Sequence, residues 1–278
     1  MRSVACAVML LLIFEDPRFV AKLTSCAFAP AATASSNAAA VRARLMTVKE
    51  RAMRADYRAD IAGLLRLRRE LAPLVDDPEL GYLAHYWSGY ASWRAAINGA
   101  NHHMSVRDLQ TRLIEADAEF EAAMLQRTDF ADAYAAASSV NGWLGNLLRD
   151  DPAVMRERFT RAARLLARAR ELEPDNPRVL WVAGGDLLFK PASIGGDVPK
   201  AIELYQRAVQ LAPPPSHSPL PDWGKPESLM ALAYAHVNAT PPDLPAARAE
   251  AREALRLVPD WQYVRDVLLP RVEGAKGK

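Results

Sequence analysis

Cysteine is almost missing from this chain: Cys6 and Cys26 are the two, both in the first tenth of 278 residues. Whatever folds downstream has neither a disulfide framework nor a thiolate metal site. Runs rich in valine, isoleucine and threonine are missing too, which argues against a sheet. No Gly-rich phosphate loop follows a strand-like segment, and G-x-S-x-G, H-E-x-x-H and C-x-x-C do not occur. Of five histidines, only His102-His103 resemble a metal pair. Adjacent residues on a helix diverge by about 100°, and no third ligand lies nearby. His236 falls at a core position of a helix, and Asp150-Asp151 precede Pro152 where a helix starts, so packing and capping account for them. The net charge of +2 supplies no bulk field for nucleic acid or a strongly acidic substrate. These absences point away from an enzyme and imply no cofactor and no metal.

What is present is alanine, alternating with leucine, glutamate and arginine. The chain is 50% hydrophobic and 24% charged, enough for a sizeable core, and its composition favours helix. One pattern occurs four times. Ala201, Tyr205 and Ala208 sit at offsets 0, +4 and +7 on one helical face, with Pro213 as a stop. The same offsets give Ala116, Phe120, Ala123 and Thr128, then Ala162, Leu166, Ala169 and Pro174, then Ala247, Ala251, Ala254 and Pro259. First positions are 46, 39 and 46 residues apart. Two alanines let a neighbouring helix approach closely, and such a face has to be buried by stacking copies.

These segments resemble the second helix of the tetratricopeptide repeat (TPR), whose period is about 34 residues. Leu180, Ala183, Gly184 and Leu187 fit the family's first-helix pattern W-x2-L-G-x2-Y loosely. So do Tyr134, Ala137, Ser138 and Asn141, and Leu229, Leu232, Ala233 and His236. The resemblance covers roughly residues 79–270, and the long spacings read as insertions. It implies an all-α, TPR-like α-solenoid of stacked antiparallel helix pairs, about ten helices in all. The insertion at 190–199 carries Gly195-Gly196-Asp197, similar to a Pro-x-x-x-Gly-Gly-Asp turn of exported bacterial repeat proteins. The insertion at 213–226 holds six prolines in fourteen residues, with Trp223 and Gly224. It excludes helix and strand, and a stiff aromatic-bearing loop packs over a neighbouring element more often than it forms a lid.

Along the chain, residues 4–14 form an apolar run too short to span a bilayer and matching a signal-peptide core. Residues 1–34 read as a targeting segment. Ala32-Thr33-Ala34 is a cleavage motif, and Leu23-Thr24-Ser25-Cys26 resembles a lipobox, with Cys26 lipidated. Residues 35–40 read as linker, 41–271 as the repeat domain and 272–278 as a polar tail. The chain is then periplasmic or secreted, anchored at Cys26 in the lipobox version, and cytoplasmic if the start is mis-assigned. Residues 41–72 read as one helix, 79–97 as an aromatic-rich second one, 98–103 as a loop, and 260–269 as a terminal helix ended by Pro270. Residues 42–69 carry nine Lys or Arg against three acids, a solvated face or a surface for anionic lipid or nucleic acid.

In the repeat family the first helices line the concave face, where partners bind. By phase the exposed positions there are Asp132, Ala135, Ser139 and Gly142, then Arg178, Trp181, Gly185 and Leu188, then Glu227, Met230, Tyr234 and Val237. His85, Trp93, Asn141, Trp143, Arg178, Trp181 and Tyr234 are the expected partner-binding residues, with Arg178 and Asn141 as neighbours. The resemblance implies an interaction scaffold or adaptor in the bacterial envelope, whose partner is a protein or peptide. Its alternative is an exported ligand-binding protein similar to the helical-repeat component of a TRAP-type transporter, holding a small apolar ligand. An open groove favours the first and a closed apolar cavity the second.

Overall fold

The structure, a computed structural model, describes the backbone of residues 30–274 and side chains from residue 38. Contacts divide the chain after Ala40, and the unit described below begins at Val41. The apolar run 4–14, the motif at Cys26 and residues 275–278 lie outside the described residues. Among those described there are eleven α-helices and no strand. They are α1 (Pro30–Tyr57), α2 (Ile61–Leu71), α3 (Gly81–Asn101), α4 (Val106–Gln126), α5 (Ala131–Leu147) and α6 (Pro152–Leu172). Then come α7 (Pro177–Phe189), α8 (Val198–Leu211), α9 (Lys225–Asn238), α10 (Leu244–Leu257) and α11 (Leu269–Gly274). The helices pack in successive pairs, α3 with α4, α5 with α6, α7 with α8 and α9 with α10.

The repeated small–large–small face makes these pairs. Ala116, Phe120, Ala123, Leu166, Ala169, Ala201, Tyr205, Ala208, Ala247, Ala251 and Ala254 are all buried, and Ala162 is half-buried. The large residue of a second helix meets a glycine of the first. A Cβ at Gly89 would lie 2.9 Å from the Phe120 ring, and one at Gly184 would lie 2.6 Å from the Tyr205 ring. Both glycines are needed for this close approach. Along the stack α3, α5, α7 and α9 also touch one another in sequence, so these four helices form a continuous inner row.

Several boundaries differ from the sequence reading. Residues 35–40, expected as linker, are part of α1, where alanine-rich sequence favours helix. The single helix expected over 41–72 is broken. Ala59 takes φ 53°, and the Asp60 carboxylate accepts from the N–H of Gly63 at 2.7 Å, starting α2 afresh. The loop expected from Asn98 is helix to Asn101, because Asn98 is buried and its amide donates to the Asp56 carboxylate at 2.8 Å. The final helix does not stop at Pro270. A π turn over Val264–Leu268 precedes it, closed by Leu269 N–H to Val264 C=O, and the widened turn accommodates the proline ring. Trp261, Val264, Leu268 and Val272 bury against α9 and α10 and cover the end of the stack.

Candidate functional site

The inner row is not open. Two parts of the chain lie on it: the last turns of α1, and the proline-rich connection 212–224 between α8 and α9. Asp56 on α1 is buried and accepts from three α3 side chains: Arg94 Nε at 2.8 Å, Tyr90 Oη at 3.1 Å and Asn98 Nδ2 at 2.8 Å. Burial works against the Arg94 charge, but Asp56 outweighs it and the guanidinium titrates above its ordinary range. Tyr57, next on α1, donates to Glu227 of α9 at 2.6 Å. Glu227 also accepts from the N–H of Gly224 at 2.8 Å, which starts α9. Burial raises the Glu227 carboxyl above the usual carboxylate range despite these bonds. Two adjacent residues of α1 thus tie α3 to α9.

The connection 212–224 fills the rest. Trp223 is 3% exposed and stands among four aromatic rings, Tyr90 at 6.0 Å, Trp93 at 6.1 Å and Trp181 at 5.6 Å between centroids, with Tyr86 accepting its indole N–H at 2.9 Å. Trp87 donates to Pro219 C=O at 2.8 Å. Lys49, 4% exposed on α1, donates to Ser216 C=O at 3.0 Å and to the Asp222 carboxylate at 2.7 Å. Arg178 donates to Trp223 C=O at 3.2 Å while paired with Asp132. Burial of that guanidinium is outweighed by Asp132, so Arg178 is held above its ordinary range. Edge-to-face aromatic packing and backbone carbonyl acceptance are how a surface holds an extended segment.

The expected partner-binding residues separate accordingly. Trp93 and Trp181 do come together, with ring centroids 6.1 Å apart, and Trp181 donates to Glu227 C=O at 3.2 Å. Arg178 joins them through Trp223. Asn141 does not: it is fully buried and bonds Asp117 at 2.8 Å and Arg158 at 3.1 Å, not Arg178. Trp143 is half-buried against the main core. Tyr234 packs elsewhere, 5.7 Å from Phe189 and beneath Arg271. The exposure expected by repeat phase is also corrected. Asp132, Ala135, Arg178 and Glu227 are buried and Trp181 is half-buried. Asp132 pairs with Arg178, and Ala135 packs among residues of α6 and α7, so these positions face the next helices of the stack. Arg178, Trp181 and Glu227 are covered by 212–224 and α1. The basic stretch 42–69 is largely spent inside the chain, through Lys49 with Asp222, Arg51 with Glu70, Arg58 with Asp260 and Arg68 with Glu115.

His85 belongs to a different place, an open cleft of about 410 Å³ with Leu65, Arg68, Arg69, Arg112 and Glu119. His85 Nδ1 lies 2.7 Å from Glu119, and Ser88 donates to the same carboxylate at 2.8 Å. Burial would raise Glu119, but these two bonds and the Arg68 charge outweigh it and hold the carboxyl below its usual range. Serine and imidazole meet the carboxylate separately, so this is not the nucleophile–base–orienter chain of a hydrolase. His236 pairs with Glu250 at 2.8 Å on neighbouring helices. Among the described residues no three His, Cys, Asp or Glu side chains are grouped to hold a metal, and no helix is long and apolar enough to cross a membrane.

Sequence reasoning passed over Lys49, Asp56 and Asp222, and took Glu227 as an exposed position of its helix. Lys49 and Asp56 lie in a basic stretch and Asp222 in the proline-rich loop, and nothing local marks them as buried. Trp223 did carry a signal, an aromatic in a stiff proline-rich loop. No model of a known protein family matches the chain, and no curated protein matches it.

Proposed function

We propose that this chain is a non-enzymatic interaction protein of the tetratricopeptide-repeat type, a scaffold or adaptor in the bacterial cell envelope. The observation that carries the reading is the inner row of α3, α5, α7 and α9, whose Tyr, Trp and Arg side chains, with Lys49 of α1, grip an extended segment by its carbonyls and its indole. A face that does this for its own chain has the chemistry to do it for another. The apolar run at residues 4–14 supports export, with a terminus near Ser35 or at a lipidated Cys26.

Cross-linked capture of the protein as processed in its host tests this. Mass spectrometry then reads retained proteins, extracted small molecules and the mature terminus together. A stoichiometric protein cross-linked to the solenoid supports the reading. A tightly retained apolar molecule with no protein partner favours the exported ligand-binding alternative. An intact chain still carrying Met1 in the cytosol removes the envelope assignment.

A further inference from the structure

The connection between α8 and α9 is far longer than closure requires. Four residues join α4 to α5 (127–130) and four join α6 to α7 (173–176), whereas thirteen (212–224) join α8 to α9. The surplus is spent crossing the inner row in an extended, irregular conformation. Its recognition follows a pattern. Three backbone carbonyls, of Ser216, Pro219 and Trp223, accept from Lys49, Trp87 and Arg178. Two side chains are held specifically: the Asp222 carboxylate by Lys49 of α1, and the Trp223 indole by the inner-row slot of Tyr86, Tyr90, Trp93 and Trp181. Carbonyl-directed bonds with a few pockets for selected side chains are the signature of a groove for extended peptide.

The segment also lies at the surface. Residues 213–217 are exposed, and Leu220 is 45% exposed. Beside it opens a cleft of about 510 Å³, lined by Ser218, Pro219 and Leu220 together with Arg42, Glu79, Tyr82 and Arg127. The groove therefore runs on beyond its present occupant. Lys49, which takes the Asp222 carboxylate of the present occupant, suits an acidic residue at that position of a ligand.

We propose that this inner face is a binding groove for an extended, proline-containing peptide with an acidic residue immediately before a tryptophan, and that residues 212–224 are its intramolecular occupant, displaced by such a partner. This rests on the interaction-protein reading above. A tethered occupant competes at an effective concentration in the millimolar range, so the resting protein binds a free peptide only in proportion to its emptied fraction. Displacement makes binding conditional: a weak or non-cognate peptide does not open the groove.

The test uses a labelled peptide of residues 216–224 (Ser-His-Ser-Pro-Leu-Pro-Asp-Trp-Gly), added to the full chain as wild type, Trp223→Ala and Asp222→Asn, with helical content checked by circular dichroism. Fluorescence polarisation should show Trp223→Ala binding the peptide at least tenfold more tightly than wild type, with Asp222→Asn in between. Replacing the peptide's own tryptophan with alanine should cost at least tenfold. If Trp223→Ala does not fold, Asp222→Asn and hydrogen exchange decide: excess peptide should speed exchange of the chain's own 216–224 amides while α3 and α7 stay protected. Absence of binding to the folded variants, binding indifferent to the peptide's tryptophan, or 216–224 amides that exchange only with global unfolding would overturn the proposal. So would a concentration-dependent wild-type dimer joined by exchanged 212–224 segments, which makes a second copy the occupant. A peptide failure beside a captured partner cross-linked to another surface overturns the groove and leaves the scaffold reading standing. Failure of both overturns both.

Discussion

At the scale of single residues, this fold depends on small side chains as much as on large ones. Ala208 is fully buried on α8, where the pattern requires a residue that lets another helix approach. Ala208→Leu inserts three carbons into that contact and should cost about 1–3 kcal/mol, read as a lower denaturant midpoint. An unchanged midpoint would show that the face is not tightly packed. Glu227 supplies the pH test. Its carboxyl is raised above the ordinary value near 4.5, chiefly by burial, so the folded chain holds that proton more tightly than the unfolded chain does. The associated stabilisation is complete below the ordinary carboxyl value and is lost as pH climbs through the raised one. Glu227→Gln removes it. Whatever offset the amide introduces beside Gly224, the stability of wild type relative to the variant should fall as pH rises above the ordinary carboxyl value in urea titrations. Parallel curves would mean that Glu227 titrates as an exposed acid does.

Helix beginnings are set by caps, and these decide where the elements break. Asp60, Ser105, Asp151, Asn176, Asp197 and Asp243 each accept a backbone N–H at the start of a helix. Asp60 does more than cap, since with Ala59 in the left-handed region it turns what would be one long helix into α1 and α2. Asp60→Ala should cost about 1 kcal/mol and speed hydrogen exchange in the first turn of α2, leaving α3 unaffected. Equal exchange in both proteins would place the cause of the break elsewhere. The turn before α8 follows the same logic: Gly195 takes φ 97°, Gly196 passes so close to Lys190 C=O that a Cβ there would clash, and Asp197 caps the next helix.

At the scale of the molecule, α1 and the connection 212–224 bind the ends of the stack together. Asp56 and Tyr57 reach α3 and α9, and Trp223 reaches α3 and α7. The stability of the repeat array therefore includes contacts far apart in sequence, unlike a solenoid in which each unit touches only its neighbours. Trp223→Ala should cost about 3–5 kcal/mol through the cavity it leaves, read as a lower melting temperature. An unchanged melting temperature would show that Trp223 is not packed among the inner-row aromatics. The buried pair Asp56–Arg94 gives a second measure. Asp56→Asn alone strands a buried guanidinium and should cost about 3–5 kcal/mol, part of which Arg94→Met in the same chain should restore.

The helices and their pairing were legible from the sequence. A small–large–small period of 3.6 with prolines after it is local information, and it specifies which face of each helix must be buried. The cap at Asp151 was legible because Pro152 follows it, and the one at Asp60 was not, since no proline marks the break. What covers the inner row was decided by tertiary structure. Lys49, Asp56 and Glu227 lie in ordinary charged stretches, and their burial follows only from partners 173, 38 and 170 residues away, Asp222, Arg94 and Tyr57. Repeat phase predicts an exposed inner face because it counts stacked helices alone. Whether another part of the same chain lies across that face depends on complementary shape and charge between distant segments, and no periodicity encodes that.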